Sequence, residues 1–383
     1  MEFDFLSPVS AEVVTYAQQL SVQQLGSKVA FHTELEFPAI SQFSIVLIGV
    51  PEYRGGNGAQ EVDLSLVRKN LYQLYPGNWH ASLADLGDVL PGNSLEDTYF
   101  ALKNVVQSLL RQSIMPIIIG GTQDLTYPMY RAYDSQEQMV NLVSIDAQFD
   151  FGKQGEAISK DSYVSTIIVE EPNNLFNFCN LGFQTYYNPQ EEIDLMDKLY
   201  FEAYRLGELS ANITLAEPVL RDADLVSIDI HAVQSAVSAI YNPNRPNGFS
   251  GKEICALARY AGISDKVSSF GVFNMTHEPE ECALLAQIVW YFLEGFNYRA
   301  NDYPFGTKTN YTRYIVPIDD QDSLVFYKSN KTDRWWIEAN LNEVTENKYK
   351  SNTLLPCSYE EYLQACNQEI PERWWKIQRK MML

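Results

Sequence analysis

The stretch "MPIIIGGTQDLTYP", residues 115–128, decides how the rest of the chain is read. Met115 to Ile119 is apolar at consecutive positions, as a strand buried on both faces must be. It empties into Gly120 and Gly121, a tight turn, and then into Thr122, Gln123 and Asp124, where a helix should start. "IVLIGV" at 45–50 has the same continuity. Working outward, the strand candidates are 44–50, 80–85, 115–119, 140–146, 176–183, 199–203, 224–230 and 266–273. Helical patterns lie between them at 63–75, 94–111, 124–133, 189–198, 250–261 and 278–298. This alternation predicts an α/β fold of three layers, α/β/α, with a mainly parallel sheet.

The texture changes after residue 299. "NYRANDYPFGTKTNYTRY" (297–314) reads as a polar, aromatic linker. Two β-like runs follow at 323–329 and 334–339, joined by "NKTD", and then two short helices between 358 and 383. We therefore divide the chain into a domain, 1–299, and a Trp-rich extension, 300–383, packed on it. Trp335, Trp336, Trp374 and Trp375 are costly to leave in water. They are packing anchors first; as a functional reading they would form a partner surface, since Trp and Arg dominate interface energetics.

Composition excludes several classes. The 49 acidic and 28 basic residues give a net charge of -21, which repels phosphate backbones and anionic membrane surfaces. Neither nucleic acid nor membrane is expected as a partner. Apolar runs are too short to span a bilayer. The start, "MEFDFLSPVS", lacks a basic region and a long apolar run, so no signal peptide is expected. Five scattered cysteines without a CxxC pair read as reduced structural thiols in a cytoplasmic protein. Cys179 and Cys255 have no nearby histidine, and no Gly-x-Ser-x-Gly elbow occurs, so nucleophilic catalysis has no sequence support.

In open α/β sheets ligands bind beyond the carboxyl ends of the strands. Three such ends are polar here: "IIIGGTQD", "LVSIDAQFDFG" with Asp146, Gln148 and Asp150, and "LVSIDIHAVQSA" with Asp229 and His231. A buried carboxylate is expensive unless paired or bound to a metal. A single Asp after a strand is more often a helix N-cap, and Asp124 is read that way. Two "VSID" strands converging on one edge ask for more than capping.

The set of motifs, in this order, resembles the ureohydrolases: arginase, agmatinase and formimidoylglutamase. That family reads GGDHS, then DAHxD, then SxDxDxxDP after successive strands. Here the counterparts are Gly120-Gly121-Thr122-Gln123-Asp124, Asp146-Ala147-Gln148-Phe149-Asp150 and Ser227-Ile228-Asp229-Ile230-His231. "IVLIGVPEYRGGNG", "LADLGDV" and "NRPNGFSGKE" add agreement, so the resemblance covers roughly residues 40 to 298 and is nearest to formimidoylglutamases. It implies an arginase-like fold, oligomers, and hydrolysis of amidine or guanidinium C–N bonds by hydroxide shared between two manganese ions.

Carried over position by position, the resemblance keeps Asp146, Asp150 and Asp229 as metal ligands. Gln123 and Gln148 stand where the family has histidines, His231 where it has a fourth aspartate, and Val272 where it has a glutamate. A neutral carboxamide oxygen is a weaker donor than imidazole for a transition metal. The reading adopted is a member without the normal dinuclear site and without a cofactor, acting on a small-molecule or protein ligand. There His231 bonds Asp229 or Asp146, and the two amides fill the vacated space. One alternative is a hydrolase of linear amidines with one manganese-like divalent ion held by Asp146, Asp150, Asp229 and His231. The other is a scaffold subunit acting through the extension.

Overall fold

The apolar runs become strands because nothing else accommodates consecutive Ile and Val between two layers of helices. In the computed structural model, residues 3–56, 63–136, 138–153, 155–235, 246–276, 278–304, 308–318, 323–339 and 353–382 are described. The strands are β1 (Leu6–Ser7), β2 (Ala30–Phe31), β3 (Ile45–Gly49), β4 (Leu83–Val89), β5 (Met115–Ile119), β6 (Val140–Ile145), β7 (Leu175–Phe183), β8 (Glu202–Arg205), β9 (Leu225–Asp229) and β10 (Ser269–Phe273). Their order across the sheet is β1-β4-β3-β5-β10-β9-β6-β7-β8, with β2 also on β4. All pairings are parallel except β1 with β4.

The helices are α1 (Ala11–Gln18), α2 (Ser65–Tyr72), α3 (Leu95–Arg111), α4 (Thr126–Arg131), α5 (Tyr163–Val169), α6 (Gln190–Lys198), α7 (Leu206–Ala211), α8 (Ala216–Asp222), α9 (Gly251–Ile263) and α10 (Pro279–Asn297). Alternate strand residues divide between two cores. Ile45 and Leu47 join one cluster with α2, α9 and α10, whereas Val46 and Ile48 join the other with α3 and α4. This is the α/β/α layering expected. Ser94 with Asp97 and Ser250 with Glu253 close capping boxes that start α3 and α9 where the sequence places them.

Several boundaries differ from the sequence reading. The strand expected at 80–85 runs over Leu83–Val89, because the backbone N–H groups of His80 and Ala81 are taken by the Asn297 side chain. The strand expected at 199–203 is displaced to β8, because Leu199 caps α6 and Tyr200 adopts φ +54°. The strand expected from 266 starts at Ser269, and the helix expected at 63–75 is only Ser65–Tyr72. The helix expected at 124–133 is a 3-10 turn, Gln123–Leu125, followed by α4. Helices α1, α5, α7 and α8 were not expected.

The extension is a four-stranded antiparallel sheet, β11 (Tyr311–Pro317), β12 (Ser323–Ser329), β13 (Trp335–Glu338) and β14 (Leu354–Cys357), with helices α11 (Tyr359–Cys366) and α12 (Glu372–Met382). The 297–314 segment is thus not all linker: its end is β11. Strand β14 was also unexpected. A third core joins Met139, just before β6, and Phe176 of β7 to Phe326, Trp335 and Ile337. Trp336 is buried, with the Arg221 guanidinium over its ring at 4.7 Å. Trp374 donates to the Glu338 carbonyl at 2.8 Å, and only Trp375 of the four tryptophans is substantially exposed. Of the cysteines, all free, only Cys366 is exposed. No described helix is long and apolar enough to cross a membrane.

Arg373 docks α12 on the edge strand. It reaches Glu202 at 2.6 Å and the Pro356 carbonyl at 2.7 Å, and both charged side chains are buried. Burial alone would raise the Glu202 carboxyl, but the charges of Arg373 and Lys380 outweigh it and hold it below the usual range. Breaking such a pair leaves an uncompensated buried charge. Arg373→Ala is expected to cost about 3–5 kcal/mol in urea unfolding at neutral pH. A carboxyl with a lowered pKa contributes stability above its unfolded pKa and loses it as pH falls. The deficit should therefore shrink below about pH 4, where Glu202 is protonated in the unfolded chain and increasingly in the folded one.

Candidate functional site

Four neighbouring strands, β5, β10, β9 and β6, bring the polar strand ends to one edge. The register pairs Ser144 with Ser227 and Ile145 with Ile228, so Asp146 and Asp229 emerge side by side. Gly120 and Gly121 turn the chain with φ of +89° and +72°. A Cβ at Gly121 would stand 2.7 Å from the Val50 carbonyl oxygen, so only glycine fits. The turn is fixed to β10 by Gly120 N–H donating to Val272 O (3.1 Å) and Asn274 N–H donating to Gly121 O (2.8 Å). Asn274 has φ +60° and accepts from the Gln123 backbone N–H at 3.2 Å.

Gln123 is completely buried. Its side-chain nitrogen donates to Ser144 Oγ at 3.0 Å and Ser227 Oγ at 3.3 Å, the serines of the two "VSID" strands. Thr126 bonds Ser227 at 2.7 Å and Tyr163 bonds Ser144 at 3.3 Å, so the amide anchors a small polar network. Its Oε1 is buried without a hydrogen-bond partner. Asp124 is not an N-cap. It is buried, receives the Tyr99 and Thr122 hydroxyls, and lies against Gly55, where a Cβ would come within 2.2 Å of its carboxylate.

Asp146 is buried and accepts from the Gln148 N–H at 2.9 Å. Asp150, at φ +56°, is buried and hydrogen-bonded to Asp146. Burial, then the charge of Asp146 and that hydrogen bond, then Asp229, push its carboxyl well above the usual range. Asp229 accepts from the His231 N–H at 2.7 Å, and the imidazole Nδ1 lies 3.3 Å from the same oxygen. The structure therefore brings Asp146, Asp150, Asp229 and His231 to one edge. Gln148 is half-buried beside them, its carbonyl accepting from Asn180 at 2.7 Å. Val272 is in the core of β10, contributing no polar group. Among the described residues, no three His, Cys, Asp or Glu side chains are arranged to hold a metal ion.

Three residues escaped the sequence reading. Tyr163, on the unexpected helix α5, is buried in the field of Asp150 and Asp146. Lys160 is a second: burial would lower its ammonium, but the hydrogen bond to Asp161 and the charges of Asp161, Asp229 and Asp150 hold it raised. The third is Glu281, in the first turn of α10, fully buried and in the field of His231 and Asp229. Its "HEPEE" context signals only a helix start.

The profile of the Arginase family matches residues 43–280. A formimidoylglutamase of Geobacillus sp. (strain WCH70) is 24% identical over 246 residues, 61% of this chain and 74% of that one. Among solved structures, Trypanosoma cruzi formiminoglutamase with Mn2+ superposes with a TM-score of 0.60 at 19% identity, over 69% of this chain and 97% of that one. Formimidoylglutamase from Bacillus subtilis gives 0.61 at 14% identity, over 73% and 93%. At these identities the superpositions establish a common fold.

Gln123→Ala would remove the donor shared by Ser144 and Ser227 and open a void. It is expected to cost about 2–4 kcal/mol in urea unfolding, by an equal amount with and without EDTA. A metal-binding role for Gln123 would make the two measurements differ.

Proposed function

The chain belongs to the arginase family, and we propose that it acts by binding a ligand at the carboxyl edge of its sheet instead of by two-manganese hydrolysis. One observation carries the reading: the Gln123 side chain is buried and spends its N–H donors on two serine hydroxyls. By the resemblance, that position should offer an imidazole lone pair to a metal. A carboxamide whose hydrogens tie two strands together is part of the scaffold.

The rest of the edge supports the same reading. Asp150 lies against Asp146, and burial with that neighbouring charge pushes its carboxyl well above the usual range. The Asp229 oxygen is engaged by His231. This set does not fit a pair of manganese ions. It lacks both histidines of the family pattern and its fourth aspartate, and Val272 supplies no carboxylate. Losing even one outer partner of a metal ligand commonly costs 10–100-fold in affinity.

A second reading keeps hydrolysis of linear amidines with a single divalent ion on Asp146, Asp150, Asp229 and His231. What favours it is the imidazole placed 3.3 Å from Asp229 at the same edge. Metal counting separates the two. After incubation with excess manganese, zinc or magnesium and dialysis, mass spectrometry is expected to find no stoichiometric metal, and formimidoylglutamate, agmatine and arginine to remain intact. One ion per chain that is lost in Asp146→Ala would establish the second reading. Two ions per chain would overturn the first.

A further inference from the structure

We propose that the seam between the domain and its extension holds a buried binding site for one small inorganic anion, built from Arg221, Arg334 and the Trp336 indole. The site stands apart from the carboxyl edge and does not rest on the ligand-binding reading. Helix α8 brings Glu217 and Arg221 to the seam. The extension meets them with Arg334, just before β13, and Trp336 within it. The Arg221 guanidinium lies over the Trp336 ring at 4.7 Å and donates through Nη2 to the Cys357 carbonyl of β14 at 3.0 Å. Both arginines converge on one carboxylate oxygen, Glu217 Oε1: Arg221 Nε lies 3.1 Å from it and Arg334 Nε 3.7 Å. The two guanidiniums and the indole are thus neighbours in one cluster.

What the cluster lacks is acceptors. Arg221 and Trp336 are buried, and Arg334 keeps little exposure. Nη1 of Arg221, Nη1 of Arg334 and Nε1 of Trp336 are each buried without a hydrogen-bond partner, and Arg221 Nε meets Glu217 outside hydrogen-bond geometry. All four atoms are donors. The acids nearby are already engaged. Glu217 Oε1 serves both arginines. The Asp265 carboxylate, 4.0 Å from Arg334 Nη1, accepts the backbone N–H groups of Asn301 and Asp302 at 2.9 and 2.8 Å. Burial, together with the neighbouring Arg334 charge, pulls Arg221 below its ordinary range although Glu217 opposes it. Arg68 and Arg373, also buried, each bond a carboxylate directly, at 2.8 and 2.6 Å. Water at the seam would take the hydrogens but leave the charge. An anion supplies lone pairs and negative charge together, and guanidinium donors suit it well. The ligand is therefore of the class of chloride or a tetrahedral oxyanion. The side chains of Arg334 and Glu217, 14% and 25% exposed, give it a way in from solvent.

The experiment is calorimetric titration of the full chain, dialysed into sodium gluconate buffer, with sodium chloride, phosphate and sulfate at constant ionic strength. The melting temperature is followed in parallel. The variants are Arg334→Gln and Arg313→Gln, the second removing the same charge from an exposed position on β11 of the same sheet. We expect at least one of the three anions to bind the wild type at one site per chain. It should raise the melting temperature in a saturable way, as a ligand of the folded state must. Arg334→Gln should weaken that binding tenfold or more, and Arg313→Gln should leave it unchanged. If Arg334→Gln does not fold, Arg334→Lys, which keeps the charge but loses the planar fork, takes its place in the comparison. Absence of saturable binding by all three anions, or binding weakened equally by both variants or by neither, would overturn the site. None of these outcomes bears on the carboxyl edge, whose reading the metal count decides.

Discussion

A carboxylate at the end of a strand buried on both faces has to be neutralised by something, and the carboxyl edge of this sheet is organised around that requirement. Parallel pairing of β6 with β9 sets Asp146 beside Asp229, and the left-handed turn at Asp150 brings a third carboxyl onto the first. In water three such groups would repel only weakly. Against apolar layers the cost grows several-fold. The chain meets it with a raised Asp150 carboxyl, the imidazole beside Asp229, and the field of Lys160.

The fold was legible where physics acts through a run of neighbouring residues. The five-residue apolar run of β5 lies at its expected position because burial on two faces leaves a continuous signature, and β12 lies at its own through the inward Leu324 and Phe326. Elements set by distant partners were not legible. The Asn297 side chain, more than 200 positions away, holds His80 and Ala81 out of β4. Strand β11 is largely exposed and opens on Tyr311-Thr312-Arg313-Tyr314, which continues the polar, aromatic texture of the segment before it.

The site shows the same division. The candidate ligand positions Asp146, Asp150, Asp229 and His231 were readable as strand-end residues, and they do share one edge. What Gln123 bonds to was not readable, although the two repeated "VSID" runs contained its partners, Ser144 and Ser227. A repeated serine two residues before an aspartate is a register mark when its strands are neighbours, and sequence alone does not say which strands are. Glu281 was hidden for a different reason. Its first bond is a helix-start bond, which any first-turn glutamate can make, and only its burial and its second oxygen set it apart from Glu280.

The amide of Gln123 also constrains how such a protein changes over generations. A neutral imidazole has one N–H donor and one lone pair. A histidine at this position that gave its lone pair to a metal would have one hydrogen left, where Ser144 and Ser227 now share an amide that has two. A histidine here would thus leave one of the two serines, and with it the tie between β6 and β9, without that donor. The fold itself therefore holds the glutamine in place, independently of any chemistry at the edge.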